Sequence, residues 1–320
     1  MSNFEESAKR DLESREFKSK SADDTMNPAQ EKPTSLGKAG SFNPGSDEPA
    51  LLPGYHEVYS ENFPSKGMFY PTEARFFIRA ASVKEIRHFS TINEQDPFSI
   101  DEALNEILKG CLMIRFPGKQ TSFKDLREED RIFIILTIRE LTFTKGENRL
   151  IIKKTCGDCG YDNEIEINNH AFESTELKDT VMKYYNSERR LFEFQTKSSG
   201  TIEMTAPSIG IMMEVTKYIR TMQQEGRKID QSFIKVLPYI TNDWRGFTQD
   251  RIKNLEVEFM QWSAQKYQTI YNLTDMIRVG VKEDLKKSCD KCGTEISAPI
   301  SFPGGIKSLF VVSDLAGELL

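Results

Sequence analysis

Cysteine is scarce in this chain, five in 320 residues, too few for the cross-linked scaffold of a small secreted domain. Long apolar runs are missing as well. None approaches the ~20 residues that a membrane-spanning helix needs, and the opening MSNFEESAKRDLESREFKSK has no apolar core of the signal-peptide kind. No membrane partner is therefore expected, and the chain is expected to be made and kept in a cytoplasm. Histidine is rarer still. His56, His88 and His170 are too scattered for a catalytic triad, and no Gly-x-Ser-x-Gly, His-Glu-x-x-His or Walker loop occurs. FPGGIKSLF, from Phe302 to Phe310, lacks the buried strand that precedes a phosphate loop and reads as a tight turn. These absences point away from an enzyme and from a small-molecule substrate. Positive charge is also short. Lys and Arg number 43 against 49 Asp and Glu, a net charge of -6, and no basic stripe with interleaved aromatics is present, so nucleic acid is not an expected partner.

What the chain does contain falls into a tail and two halves. Residues 1–55 are rich in Ser, Asp, Glu, Lys, Pro and Gly, cannot bury enough apolar surface to offset their ordering entropy, and are expected to be disordered. The rest reads as α+β, with helical cores and β-hairpins. In the half 56–186, FFIRA is strand-like, and Ser82 to Glu85 and Ser99 to Glu102 both fit the capping box that opens a helix. The second of these helices would carry Leu104, Ile107, Leu108 and Cys111 on one face, which makes Cys111 a core thiol. DLREEDRIFIILTIREL, from Asp125, starts acidic and becomes apolar on nearly all sides, as a helix at the centre of a core does. Its carboxylates, in LREED and EEDR, read as a solvated helix face. The half 187–320 begins with a hairpin, LFEFQ and TIEMT around SSG, and continues in helical patterns with Trp244 and Trp262 as core or interface anchors. The order strand, helices, cysteine turn, strand recurs in both halves, which suggests an internal duplication.

The cysteine turns carry the chemistry. KKTCGDCGYDNEIEI holds Cys156 and Cys159, and KKSCDKCGTEISAPISF holds Cys289 and Cys292. A Cys-x-x-Cys turn on a hairpin points both sulfurs at one place, ~2.3 Å from a tetrahedral ion, and the following glycine permits the tight backbone. Two such turns, zinc-ribbon-like, complete one shell, so one structural zinc per chain is expected on Cys156, Cys159, Cys289 and Cys292. Four thiolates close that shell against water and substrate, which makes the site structural and not catalytic. Three other readings stand beside it: a redox pair, which needs its first cysteine at a helix N-terminus; a disulfide or bare thiol turn within each pair; and two separate sites, each borrowing a ligand such as His170.

The ordered motifs resemble a known family. NFPSKGMFY with FFIRAASVKEIRHFSTI, then ALNEILKGCL, DLREEDRIFIILTIREL and a Cys-x-x-Cys between strands look like the baseplate hub assembly proteins of T-even-type contractile-tailed phages. That family's pattern falls at Phe63 to Gly67, Arg79 to Glu85, Ile132 to Arg139 and Cys156 to Cys159, and continues through Cys289 to Gly293 and Gly304 to Phe310. Phe63 stands in place of the family's leucine and Ile86 in place of a glutamate. The resemblance covers about residues 60 to 320. It implies a non-enzymatic structural or assembly role in the tail baseplate hub. The partners would then be other baseplate and tail hub proteins, met in the virion or in the host cytoplasm during assembly. The alternative that the residues leave open is a zinc-ribbon interaction adaptor in a cellular complex.

Overall fold

The computed structural model describes residues 53–143, 149–169, 171–196, 200–282, 284–302 and 305–311. The tail expected to be disordered lies almost wholly outside them, as do His170 and Gly304. The described residues are α+β, eight helices with several small antiparallel sheets. None of these helices is long and apolar enough to cross a membrane.

The first sheet is three-stranded, β1 (His56–Val58), β2 (Arg75–Ile78) and β3 (Leu112–Arg115), with β2 central and antiparallel to both neighbours. Phe76 and Ile78 point into the core, and Phe77 on the opposite face is equally buried because the Arg75 and Arg115 guanidiniums lie 5.1 and 5.2 Å from its ring. Helix α1 (Val83–Ser90) opens on the expected capping box, in which the Ser82 amide donates to Glu85 at 2.8 Å. The next box is not used. Helix α2 (Pro97–Cys111) begins two residues before Ser99, capped by the Asp96 carboxylate, which accepts from the Phe98 amide at 3.0 Å. Proline at the first helical position costs no hydrogen bond, so Asp96-Pro97 is the better start, and the Ser99 hydroxyl instead accepts from the Asn93 amide. Cys111 is fully buried at the end of α2, and burial pushes its thiol up to about 11.

Helix α3 (Arg131–Thr142) is the centre of the largest core, with Ile134, Ile135, Leu136 and Ile138 all buried. The carboxylates before it are not on a solvated helix face. Residues 123–130 run as two short 3-10 turns with extended residues at Leu126 and Arg127, so helical spacing does not govern where their side chains go. Asp130 is fully buried and accepts from the Ser65 amide, the Ser65 hydroxyl and the Tyr70 hydroxyl at 2.9, 2.7 and 2.6 Å. The Tyr70 oxygen in turn accepts from the Arg127 amide at 2.9 Å, which ties the loop before β2 to the start of α3.

Two hairpins flank the remainder. Strands β4 (Ile151–Thr155) and β5 (Asp162–Glu166) pair in register around the first cysteine turn. After a two-residue strand β6 (Ser174–Thr175) and the short helix α4 (Asp179–Met182), β7 (Tyr185–Asn186), β8 (Leu191–Thr196) and β9 (Gly200–Met204) form a second three-stranded sheet. Helices α5 (Ile209–Gln224), α6 (Gln231–Val236), α7 (Gln249–Met260) and α8 (Ala264–Ile277) pack two further clusters around Phe192 and Val236 and around Tyr218 and Phe233. The long pattern of FTQDRIKNLEVEFMQWSAQKYQTIYNL breaks where the Ser263 hydroxyl caps α8 by accepting from the Lys266 amide. Trp244 packs on α5, where Gly210 leaves it room: a Cβ there would lie 2.5 Å from the indole. Strand β10 (Gly280–Val281) pairs with β6, and β11 (Asp284–Ser288) with β12 (Glu295–Pro299). This last hairpin joins the first core through Leu285, Ile296 and Ala298, and Phe310 follows it onto Phe89, 5.2 Å between rings.

Tyr70→Phe removes one donor from a buried carboxylate and leaves the Arg127 amide without its acceptor. Denaturant unfolding of this variant should show a loss of about 1–3 kcal/mol with an unchanged m-value.

Candidate metal centre

The two cysteine turns have the same backbone. In the first, the Cys156 amide donates to the Tyr161 carbonyl at 2.9 Å and the Gly160 amide to the Cys156 carbonyl at 3.0 Å. In the second, the Cys289 amide donates to Thr294 at 2.8 Å and the Gly293 amide to Cys289 at 2.9 Å. The turn closes through a left-handed residue, Gly160 at φ 70° and Gly293 at φ 77°, a conformation in which a side chain is strained. Gly157 has no such role, and Asp290 occupies the equivalent place in the second turn.

The turns face each other. The Cys156 and Cys292 sulfurs are 3.7 Å apart, those of Cys159 and Cys289 are 3.6 Å apart, and all four lie within 4.8 Å of one another. A tetrahedral ion bound at ~2.3 Å needs sulfurs ~3.8 Å apart, so this donor set fits one metal ion. All five cysteines are free thiols. Both pairs lie on hairpin turns and not at helix starts, so neither has the helix dipole that activates a redox cysteine. Cys156 and Cys289 are buried in the first core, Cys159 is half-buried and Cys292 is exposed.

The surroundings favour anionic sulfur at two of the four positions. The Cys292 amide, then the Lys291 amide and the Asn163 side chain, point at the Cys289 sulfur and hold it down to about 6 despite burial. The Thr294 hydroxyl lowers Cys292 in the same way. At Cys159 the Tyr161 amide favours the thiolate, but burial and the three neighbouring thiols outweigh it and push the thiol up to about 12. Such a cluster shares protons among its sulfurs, and a cation at its centre displaces them.

Asn163, on β5, is the residue that spacing rules miss. Its amide nitrogen donates to the Tyr161 carbonyl at 2.9 Å and to the Cys289 sulfur at 3.5 Å, while its oxygen accepts from the Asp290 amide at 2.8 Å. One buried side chain thus supports its own turn and orients the opposite one. Asp158 accepts from the Thr294 hydroxyl at 2.9 Å, and Lys287 donates to the Glu164 carbonyl at 2.9 Å, so the hairpins are also joined at their rims. The only sequence signal for Asn163 is a polar residue where β5 alternation calls for an apolar one.

A family model described as T4 bacteriophage base plate protein matches the chain from residue 59 to 311. No curated protein and no solved structure matches it.

The turn geometry separates two glycines by substitution. Gly160→Ala forces a left-handed alanine and should lower unfolding stability by about 1–2 kcal/mol, whereas Gly157→Ala, with open space around it, should stay within about 0.5 kcal/mol of the parent in the same denaturant titration.

Proposed function

Since the chain belongs to the T4 bacteriophage base plate protein family and is a structural component of a phage tail baseplate, we propose that it builds the tail hub as a non-enzymatic subunit or assembly factor, stabilised by one structural zinc on Cys156, Cys159, Cys289 and Cys292. The observation that carries this reading is the approach of the two cysteine turns, sulfur to sulfur at 3.6 and 3.7 Å, across 130 and 136 residues of chain. Zinc suits four thiolates in a tetrahedral shell, and when bound it supplies a fixed cross-link with no open position.

The work of the site is done by the chain's own residues. Gly160 and Gly293 set the turns, Asn163 aligns them, and Cys156 and Cys289 anchor the cluster in the first core. A link across so long a loop limits the unfolded chain by an amount on the order of 5 kcal/mol in the chain-entropy treatment. We read residues 56–186 and 187–320 as two halves, each bringing one turn to the clamp. A hub part meets neighbouring baseplate and tail hub proteins on several sides and must keep its shape when the tail contracts, which is what such a clamp provides. Assembly takes place in the host cytoplasm, and a chain that stays as a subunit ends in the virion.

Complementation tests the reading. A phage lacking this gene, supplied with the Cys156→Ser/Cys289→Ser chain, should yield baseplate-defective particles and a titre reduced by several orders of magnitude relative to the parent chain. Mass spectrometry of purified particles should find the parent chain at a fixed copy number if it stays as a subunit. A double variant that restores full titre would overturn the clamp.

A further inference from the structure

Away from the cysteines, a cavity of about 370 Å³ opens between the loop before β2, the turn after β3, the start of β8 and residues 242–245. This is within the ~300–1,000 Å³ range of ligand pockets, with room for a few side chains but not for a folded domain. Five cations line it, Lys119, Arg127, Arg189, Arg190 and Arg245, against two carboxylates, Asp125 and Asp243. Two of the five are already neutralised. Arg189 holds Glu193 at 2.8 Å and Glu203 at 2.6 Å, and Arg245 holds Asp125 at 2.9 Å and Asp243 at 3.3 Å. Asp125 is further occupied by the Trp244 indole N–H at 3.0 Å.

Lys119, Arg127 and Arg190 remain. Among the described residues none of the three has a carboxylate within ion-pair distance. Arg127 is held in place by two carbonyls, Ala206 at 2.6 Å and Phe69 at 3.1 Å, and its buried Nε has no acceptor at all. Burial lowers its pKa, although Tyr70, Glu129, Asp130 and Asp125 pull it the other way. Arg190 adopts φ 57°, a left-handed conformation that glycine takes without cost and that a side chain holds only under constraint. The remaining wall is mixed, with Phe69, Pro71, Phe116, Leu191 and Trp244 beside the polar Thr205, Ser208 and Asn242.

We propose that this cavity docks an acidic peptide segment of a neighbouring subunit, its carboxylates meeting Lys119, Arg127 and Arg190 and its apolar side chains lying on Phe116 and Trp244. A short peptide with alternating acidic and apolar residues satisfies both parts of the lining. A nucleic acid backbone would need a basic track, whereas these cations surround a pit on a chain of net charge -6. A small anion would leave the apolar side chains of that wall uncovered.

Calorimetry and Trp244 emission on the full chain test the assignment with three probes: the blocked heptapeptide Leu-Asp-Glu-Leu-Asp-Glu-Leu, its Asn/Gln isostere, and inorganic phosphate. The acidic peptide should bind saturably, more weakly at higher salt. The isostere should bind at least tenfold more weakly, and phosphate should not displace the acidic peptide at equal concentration. Lys119→Ala combined with Arg190→Gly should weaken the acidic peptide at least tenfold. Arg190→Gly relieves the strained backbone, so that variant alone should be no less stable than the parent to heat. Equal binding of the isostere, absence of saturable binding by the acidic peptide, displacement by phosphate, or full affinity in the double variant would each overturn the proposal. The comparison of peptides on the parent chain decides the matter even where a variant folds poorly.

Discussion

Four sulfurs from two turns 130 residues apart in the chain meet within 4.8 Å, and much of the architecture serves that meeting. Neither hairpin has a core of its own. A two-stranded hairpin is marginal in water, and β4–β5 and β11–β12 persist because Ile165, Leu285, Ile296 and Ala298 are buried in the cluster that α3 organises. The cysteine turns are the tips of these hairpins. They reach one another only if both hairpins are seated, so the cluster's capacity to hold an ion would depend on the integrity of the first core. Asn163 makes the link specific, since it bonds to a turn on the other side of the cluster as well as to its own.

A second buried polar centre holds the N-terminal end of α3. Asp130 accepts three hydrogen bonds from Ser65 and Tyr70, and Arg127 beside it reaches across to the backbone of Phe69 and Ala206. The Pro207 carbonyl accepts from the Glu128 amide and the Leu126 carbonyl from Ile209, so the start of α5 is fixed to the same point. These contacts outweigh the many exposed ion pairs. Lys109 with Glu106 contributes roughly 0–1 kcal/mol. An unpaired group left at Asp130 would cost several times that. Rigidity in this protein therefore comes from two polar centres that border the first core, in keeping with a baseplate part.

Much of this was legible in the residues. The unbroken apolar run of α3, the Ser82 capping box, the LFEFQ and TIEMT hairpin and the burial of Cys111 all follow from periodicity and local chemistry. Pairing of the two cysteine turns followed from the need of one metal for four ligands, although spacing rules for ribbon-like sites would have kept them apart. What was not legible depends on tertiary contacts. Glu128, Glu129 and Asp130 look like a helix's solvated face until the chain is seen to turn twice before α3 begins. Asp96 wins over Ser99 as the cap of α2 because Pro97 needs no donor. Asn163 and Arg190 are ordinary polar residues in the sequence, and only the fold shows that one touches a sulfur and the other has a left-handed backbone facing a cavity. Gly210 and Trp244 lie 34 residues apart, and no local rule connects a helix glycine to an indole on a later loop.

The most direct measurement is zinc K-edge X-ray absorption on the purified full chain, with metal content determined on the same sample. One zinc per chain with four sulfur scatterers at ~2.3 Å is the predicted result. Nitrogen or oxygen in the first shell, two metals per chain, or stoichiometric chain with no bound metal and undiminished stability would contradict a single clamp shared by Cys156, Cys159, Cys289 and Cys292.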